Sequence, residues 1–319
     1  MSAANTSASS GTLVFYSEFD DFDTWKRALL AQLPNLRVLR ADDIADPAEI
    51  DFALVWKPPA GFFARMTRLK LIVILGAGAD SLASRDDLPA HVPITRISDP
   101  NMARMMAGYV LFATLRHARD IPFFEAAQRR GEWAYKHPRN PEDVRVAVLG
   151  LGELGALAAS ELRRQGLTVL GWSRNPKQID GVACYAGLDA LGSVLAQADI
   201  VVVMLPLTSA TRGLLDRARL EVLRPGAALV NVSRGSIVDQ RALTELLRTG
   251  HIGSATLDVF EREPLPPHDP LWSMPNVLIT PHLASVAIPA SAARQIADNL
   301  LNVTRGGDLA NRVDMAREY

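Results

Sequence analysis

The chain has 319 residues, 48% hydrophobic and 22% charged, with 34 basic residues against 35 acidic ones for a formal charge of −1. That length predicts two domains, each able to bury its own core, and the near-zero charge offers no basic field for nucleic acid or an anionic membrane surface. The single cysteine, Cys184, excludes an intrachain disulfide, and no apolar run approaches the roughly 20 residues of a membrane span.

The first residues, MSAANTSASSGT, lack both a basic start and an apolar segment. Residues 1–11 are therefore expected to be a disordered leader rather than a secretory signal, with the cytoplasm as the default compartment. Short β-rich runs follow at residues 12–16 (TLVFY), 36–39, 51–56 (DFALVW) and 69–75 (LKLIVIL), with a helical pattern at 23–33. Strands alternating with helices predict a parallel sheet. The fourth run ends in Gly76-Ala77-Gly78-Ala79-Asp80.

A long helical pattern covers residues 101–120, with Met102, Met105, Tyr109, Phe112 and Leu115 on one side and Pro100 just before its start. A second helix is expected over 122–131, then a loop (GEWAYKHPRNPE) marked by Pro138 and Pro141. The apolar run Val146, Ala147, Val148, Leu149 leads directly into Gly150-x-Gly152-x-x-Gly155 and an alanine- and leucine-rich helix to Arg164. Strand, glycine turn and helix in that order form the context of a dinucleotide fingerprint. In that role Gly150 closes the turn, Gly152 admits a pyrophosphate and Gly155 lets helix and strand pack closely. Further strands are predicted at 167–172, 199–205, 227–231, 254–259 and 276–279, and a terminal helix at 289–304.

Ligands of open α/β sheets sit beyond the carboxyl ends of strands, and four such ends carry polar residues. After the strand at 167–172 come Ser173 and Arg174, where a site for NAD would place an acid; a hydroxyl beside a guanidinium suits a 2′-phosphate. Asn231-Val232-Ser233-Arg234-Gly235 projects an arginine able to grip a carboxylate in a fork, although a lone arginine in such a turn is usually a surface ion pair. Asp258, framed by apolar residues, is expected to be semi-buried and partnered. His282 is the best acid/base candidate, because imidazole changes charge near neutral pH. The histidines at 91, 117, 137, 251 and 268 lie in segments that suggest no cleft, and their spacing predicts no metal site.

Together these segments resemble the D-isomer-specific 2-hydroxyacid dehydrogenases over about residues 69–285. GLGELG, LPLTSATRGLLD, NVSRGSIVD, LDVFEREPLP and TPHLAS occur in the family's order, and GAGAD is similar to its GAGVD with Ala79 in place of valine. LVWKPP, the Ser173-Arg174 pair and the segment around Trp133 resemble the glyoxylate/hydroxypyruvate reductase A branch. The resemblance implies an α/β fold of two Rossmann-like or flavodoxin-like domains with parallel sheets and an active site in the interdomain cleft. Residues 1–99 plus 286–319 would form the substrate-binding domain and residues 100–285 the NAD(P)-binding Rossmann domain.

Carried over residue by residue, the resemblance makes His282 the general acid that protonates the carbonyl oxygen. Glu263, rather than Glu261, would hydrogen-bond it and favour its protonated form. Arg234 would bind the substrate carboxylate, aided by the backbone amides of Gly76, Ala77 and Gly78. Asp258 would fix the nicotinamide carboxamide. Gly150, Gly152, Glu153, Leu154, Gly155, Ser173, Arg174, Pro206, Thr211, Val232, Ser233 and Ser285 would line the cofactor. Trp56 and Lys57 would bound the substrate pocket, the plainer alternative being a packed aromatic and a solvated amine. Domain closure would exclude water.

The implied reaction is reduction of glyoxylate or hydroxypyruvate by NADPH, with NAD(H) as the other cofactor, in a homodimer formed through the cofactor domain, where Trp133 would reach the neighbouring subunit. A dehydrogenase for a bulkier 2-oxo acid and a nucleotide-sensing, corepressor-like binding protein remain as alternatives. A formate dehydrogenase would carry Gln where Glu263 stands, and no Tyr-x-x-x-Lys pair supports a short-chain dehydrogenase.

Overall fold

The computed structural model describes residues 11–83 and 85–316; of the leader expected over residues 1–11, all but Gly11 lies outside the described residues. The chain divides into two compact units, one of the described residues up to Met102 with those from Val286 onward, the other Ala103–Ser285.

The first unit takes β1 (Thr12–Tyr16), α1 (Phe22–Gln32), β2 (Arg37–Arg40), β3 (Phe52–Val55), β4 (Leu71–Ile74), the short α2 (Asp80–Ala83) and β5 (Ile94–Arg96). Its strands form one parallel sheet in the order β2-β1-β3-β4-β5. β3 and β4 are buried throughout (FALV and LIVI), as strands covered on both faces must be. Helix α1 starts where the Asp21 carboxylate accepts the Thr24 amide at 2.9 Å, and it buries Phe22, Trp25 and Leu29. This spacing of three and then four residues sets the three side chains on one face.

Helix α3 (Pro100–Ala118) runs into the second unit. Pro100, expected just outside this helix, is its first residue; the fixed φ suits a first turn and the missing N–H has no partner to lose there. The order then runs α4 (Ile121–Arg129), β6 (Arg145–Leu149), α5 (Glu153–Arg164), β7 (Thr168–Ser173), β8 (Ala183–Ala186), α6 (Leu188–Gln197), β9 (Ile200–Val203), α7 (Arg217–Glu221), β10 (Ala227–Asn231), α8 (Gln240–Thr249), β11 (Ile252–Leu257) and β12 (Val277–Ile279). Those strands build a parallel sheet in the order β12-β11-β10-β9-β6-β7-β8. Among the described residues both sheets are wholly parallel, as the α/β reading requires. Helix α9 (Pro289–Arg305) belongs to the first unit, where its Ala292, Ala293, Ile296 and Leu300 share a core with Trp25 and Leu29 of α1.

Strand order fixes where each sheet can open. In the seven-stranded sheet the chain leaves β6 toward β7 and β8, then returns to β9 on the other side of β6 and continues away from it. In the five-stranded sheet the same reversal falls between β1 and β3. Connections leave in opposite directions at such a switch point, so the carboxyl ends of the two strands are not covered by a crossover. Gly150 follows β6 and Trp56 follows β3, which puts both sequence-predicted features at a switch point.

One histidine differs from expectation. His117, read from sequence as remote from any cleft, lines a cavity of about 470 Å³ with Asp120, Phe123, Arg139, Arg224, Ser254 and Asn276. Its ring nitrogens meet Ser254 Oγ and Thr256 Oγ1, both at 2.9 Å. Burial, with the adjacent Arg116 charge adding to it, holds its pKa down at about 3. An unfolded chain takes up this proton below about pH 6.5 and the folded one does not, so stability falls as pH drops from there toward 3. The expected loss is about 2 kcal/mol by pH 5. Urea unfolding between pH 7.5 and 5 should be visibly flatter in His117→Gln; an unchanged slope would remove His117 from the acid response.

Candidate active site

The glycine turn after β6 separates three glycines by what surrounds them. Gly150 has φ +109, and a Cβ there would lie 2.5 Å from the Met204 carbonyl oxygen. At Gly155 a Cβ would lie 1.8 Å from the Gly150 oxygen. Both are therefore required by the chain itself. Gly152 is different: it stands at the N-cap of α5 with no side-chain cap, at an ordinary φ of −71, and a Cβ would meet nothing within 4 Å. Open space over uncapped helix amides fits a pyrophosphate. Glu153 and Leu154 continue from it as the first residues of α5.

At the end of β7 Ser173 is buried and donates its hydroxyl proton to the Asn175 carbonyl at 2.7 Å, while Arg174 is exposed. After β9, Thr211 Oγ1 donates to the Pro206 carbonyl at 2.6 Å and accepts the Thr208 amide at 2.8 Å, which ties the LPLTSAT loop to itself.

The turn after β10 is built by Asn231, a residue to which the sequence reading gave no role. Its Oδ1 accepts both the amide and the hydroxyl of Ser233, and its Nδ2 donates to the Arg234 carbonyl at 3.0 Å. Val232 donates its amide to Val203 of β9. Arg234 is half-buried, with Nη1 on the Ser233 carbonyl at 2.7 Å. The next residue, Gly235, approaches the Phe260 backbone so closely that a Cβ would sit 1.9 Å from its carbonyl carbon. That contact packs the arginine's turn against the loop that carries Glu263.

Glu263 and His282 meet directly: Nδ1 of His282 lies 2.8 Å from Oε2 of Glu263, while Oε1 accepts the Phe260 amide. Both side chains are mostly buried without being sealed, 23% and 19% exposed for His282 and Glu263. Glu261, the competing acid, is exposed and has no such contact with the histidine. His282 has φ +55, a left-handed conformation costly for a residue with a Cβ. Asp258 holds it there. The His282 amide donates to the Asp258 carbonyl, and the amides of Leu283 and Ala284 donate to Oδ1 and Oδ2 of the Asp258 carboxylate, each at 2.9 Å. Asp258 is 1% exposed rather than semi-buried; three donors to its carboxylate, the two amides and Thr280 Oγ1 at 2.6 Å, compensate its removal from water. Ser285 closes this segment at the unit's last residue.

The remaining predicted positions lie in the first unit. Trp56 follows β3, and its ring covers Gly76, where a Cβ would be 2.7 Å from Cζ3. Lys57 has φ +43 and its Nζ lies 5.6 Å from the Trp56 ring centre. Arg96, which carried no sequence signal for this role, donates from Nη1 to the Ala77 carbonyl at 2.9 Å. Because a trans peptide points its C=O and N–H in opposite directions, this bond turns the Gly78 amide away from Arg96.

The family model described as "D-isomer specific 2-hydroxyacid dehydrogenase, NAD binding domain" matches residues 111–284. A glyoxylate/hydroxypyruvate reductase A from Serratia proteamaculans is 37% identical over 312 residues, covering 96% of this chain and 99% of that protein. The crystal structure of a D-isomer specific 2-hydroxyacid dehydrogenase from Xanthobacter autotrophicus Py2, in complex with NADPH and MES, is 57% identical with a TM-score of 0.92, over 98% of this chain and 100% of that one. An NADPH-dependent glyoxylate/hydroxypyruvate reductase from Sinorhizobium meliloti, in complex with NADP and sulfate, is 32% identical with a TM-score of 0.89, over 97% and 100%.

Proposed function

The chain belongs to the D-isomer specific 2-hydroxyacid dehydrogenases, NAD(P)-dependent oxidoreductases, and on that premise we propose that it reduces a small 2-oxo acid with NADPH. Glyoxylate to glycolate and hydroxypyruvate to D-glycerate are the reactions proposed. The observation that carries this reading is the 2.8 Å Glu263–His282 pair beside the Arg234 turn. One group can deliver a proton, and the other can neutralise a carboxylate. Nothing else in a 2-oxo acid needs recognition by charge.

In this reading the Arg234 guanidinium takes the substrate carboxylate and draws electron density from the carbonyl. His282 gives its proton to the carbonyl oxygen as negative charge develops there, and Glu263 steadies the imidazole through Nδ1. The bound cofactor supplies the hydride. Gly150, Gly152, Glu153, Leu154 and Gly155 would carry its pyrophosphate, with Ser173 and Arg174 on the 2′-phosphate. The Pro206–Thr211 loop, Val232, Ser233, Asp258 and Ser285 would carry its nicotinamide half. Asp258 retains an acceptor position on Oδ2 for the carboxamide beyond the three side-chain bonds it already makes.

The relatives named as glyoxylate/hydroxypyruvate reductases and the neighbours solved with NADP or NADPH support both substrate and cofactor. The fully exposed Trp133 and the exposed Tyr135, Phe112 and Phe123 of the second unit support a homodimer; sedimentation should report twice the chain mass, and a monomer would end that part of the proposal.

Purified protein assayed with glyoxylate, hydroxypyruvate, phenylpyruvate and branched-chain 2-oxo acids, each with NADPH and NADH, tests the reading. NADPH oxidation with the two small acids is expected. Preference for a bulkier acid would move the substrate class, and no oxidation with any of them would reject the reaction. In the same assay Arg174→Ala should raise the KM for NADPH by about 10- to 100-fold, the worth of a charge-assisted phosphate contact, while the KM for NADH changes little. Equal effects on both would take Arg174 off the 2′-phosphate.

A further inference from the structure

The turn that carries His282 is tied to a helix residue 171 positions away. Tyr109 of α3 places its phenol oxygen 2.5 Å from Thr280 Oγ1. Thr280 in turn donates to Asp258 Oδ1 at 2.6 Å. A hydroxyl has one proton, and Thr280 commits it to the carboxylate, so the Tyr109 phenol must be the donor in the first bond. The protons therefore run one way, from Tyr109 to Thr280 to Asp258. Burial pushes the Tyr109 phenol up from its ordinary value, which keeps that donor protonated through the working range.

The far end of this chain is the left-handed turn. Asp258 Oδ1, which receives the Thr280 proton, also receives the Leu283 amide; Oδ2 receives the Ala284 amide, and the Asp258 carbonyl receives the His282 amide. Every backbone N–H from His282 to Ala284 thus donates to Asp258, the His282 amide being shared with the Thr280 carbonyl at 3.1 Å. A carboxylate can rotate about its bond to Cβ, and the Thr280 hydroxyl is a side-chain donor that pins it. Tyr109 fixes Thr280, and is itself held by packing in the same core as Ala284 and by an edge-on contact with Phe112 at 6.2 Å.

We infer that Tyr109 is a positioning residue for the proton donor: through Thr280 and Asp258 it sets the left-handed turn that aims the His282 imidazole. The inference rests on the acid role proposed for His282. Tyr109 touches neither substrate nor cofactor in this scheme, so its loss should act on turnover rather than on substrate capture.

The experiment uses the full chain with Tyr109→Phe, Thr280→Ser, Thr280→Val and the Tyr109→Phe/Thr280→Val double variant. Two readouts are taken: steady-state kinetics with NADPH and hydroxypyruvate, and amide hydrogen exchange over residues 280–286. Tyr109→Phe should lower kcat about tenfold, the order expected for a small misplacement of a catalytic group, with the KM for hydroxypyruvate within about twofold of the parent. Thr280→Ser should keep kcat, Thr280→Val should lose it, and the double variant should be no worse than Thr280→Val because both lesions cut one chain. Exchange at Leu283 and Ala284 should quicken in Tyr109→Phe and Thr280→Val alike. Parental kcat or parental exchange in Tyr109→Phe would overturn the proposal, as would a kcat loss matched by a fall in the thermal midpoint or additive losses in the double variant. A parent protein inactive on every 2-oxo acid would instead reject the reaction, and the exchange arm would still decide whether Tyr109 holds the turn.

Discussion

Replacing His282 by Ala is expected to lower kcat for 2-oxo acid reduction by about 10²–10⁴-fold, the loss typical of a general acid. The expectation rests on three features of one short loop. Nδ1 of the imidazole is engaged by Glu263 at 2.8 Å, so the ring orientation is fixed and Nε2 is the nitrogen assigned to proton delivery. The residue is held at φ +55 by the Asp258 clamp, a conformation that clusters at functional sites. The pair is partly exposed, so a substrate can approach it. The KM for NADPH should stay near the parental value, because no role in cofactor binding falls to His282. The KM for the 2-oxo acid should rise only modestly, since Arg234 keeps the carboxylate. Stopped-flow NADPH consumption under saturating substrate would read the chemical step directly. Turnover within tenfold of the parent would mean that another group supplies the proton.

How far this site is legible from the chain alone depends on the distance over which each contact forms. Arg234, Glu263 and His282 stand in turns flanked by their own local signals: a glycine after the arginine, a proline after the glutamate, and a strand before each turn. The strand before the arginine is fully buried and the one before the histidine only half-buried, but all these signals sit within a few residues, so sequence displays them. The groups that hold these turns do not share that property. Tyr109 bonds Thr280 across 171 positions, and Arg96 bonds the Ala77 carbonyl across 19. On the sequence Tyr109 is one member of an apolar stripe, and its hydroxyl carries no pattern. Asn231 is closer in sequence to what it holds, yet its three bonds appear only once the turn has closed.

The fold divides in the same way. β3, β4, β6, β9 and β10 are interior strands whose every residue, Arg145 apart, is buried. Their composition is forced apolar, and it announces them. β5 and β8 have no predicted counterpart. β8 is a sheet edge of four residues with partly exposed Cys184 and Tyr185, and β5 has three residues, Arg96 among them, and meets only the short segment 311–313 on its outer side. An edge strand needs a partner on one side only, and its other side places no demand on side-chain type.

The second large effect expected lies in the glycine turn, and it separates two glycines that the motif alone treats alike. Gly155→Ala would place a Cβ 1.8 Å from the Gly150 carbonyl oxygen. That neighbour is backbone, so the turn or the helix must move. The variant is expected to lose about 2–4 kcal/mol of stability, the upper range for overpacking a site that cannot yield, and with it NADPH binding. Gly152→Ala meets no protein atom within 4 Å and keeps an ordinary φ. Its stability should stay within about 1 kcal/mol of the parent, because the loss of a glycine N-cap and the gain from a stiffer unfolded chain oppose each other. Its affinity for NADPH should nonetheless fall by about 10–100-fold, since a methyl would stand where the pyrophosphate approaches the backbone. Urea unfolding without cofactor and NADPH fluorescence titration of both variants separate the two cases. Parental NADPH affinity in Gly152→Ala would place the pyrophosphate away from the α5 N-terminus. Parental stability in Gly155→Ala would mean the turn can relax in a way its closed geometry does not allow. One glycine is demanded by the chain and the other by the ligand, and only the second of these demands is evidence of function.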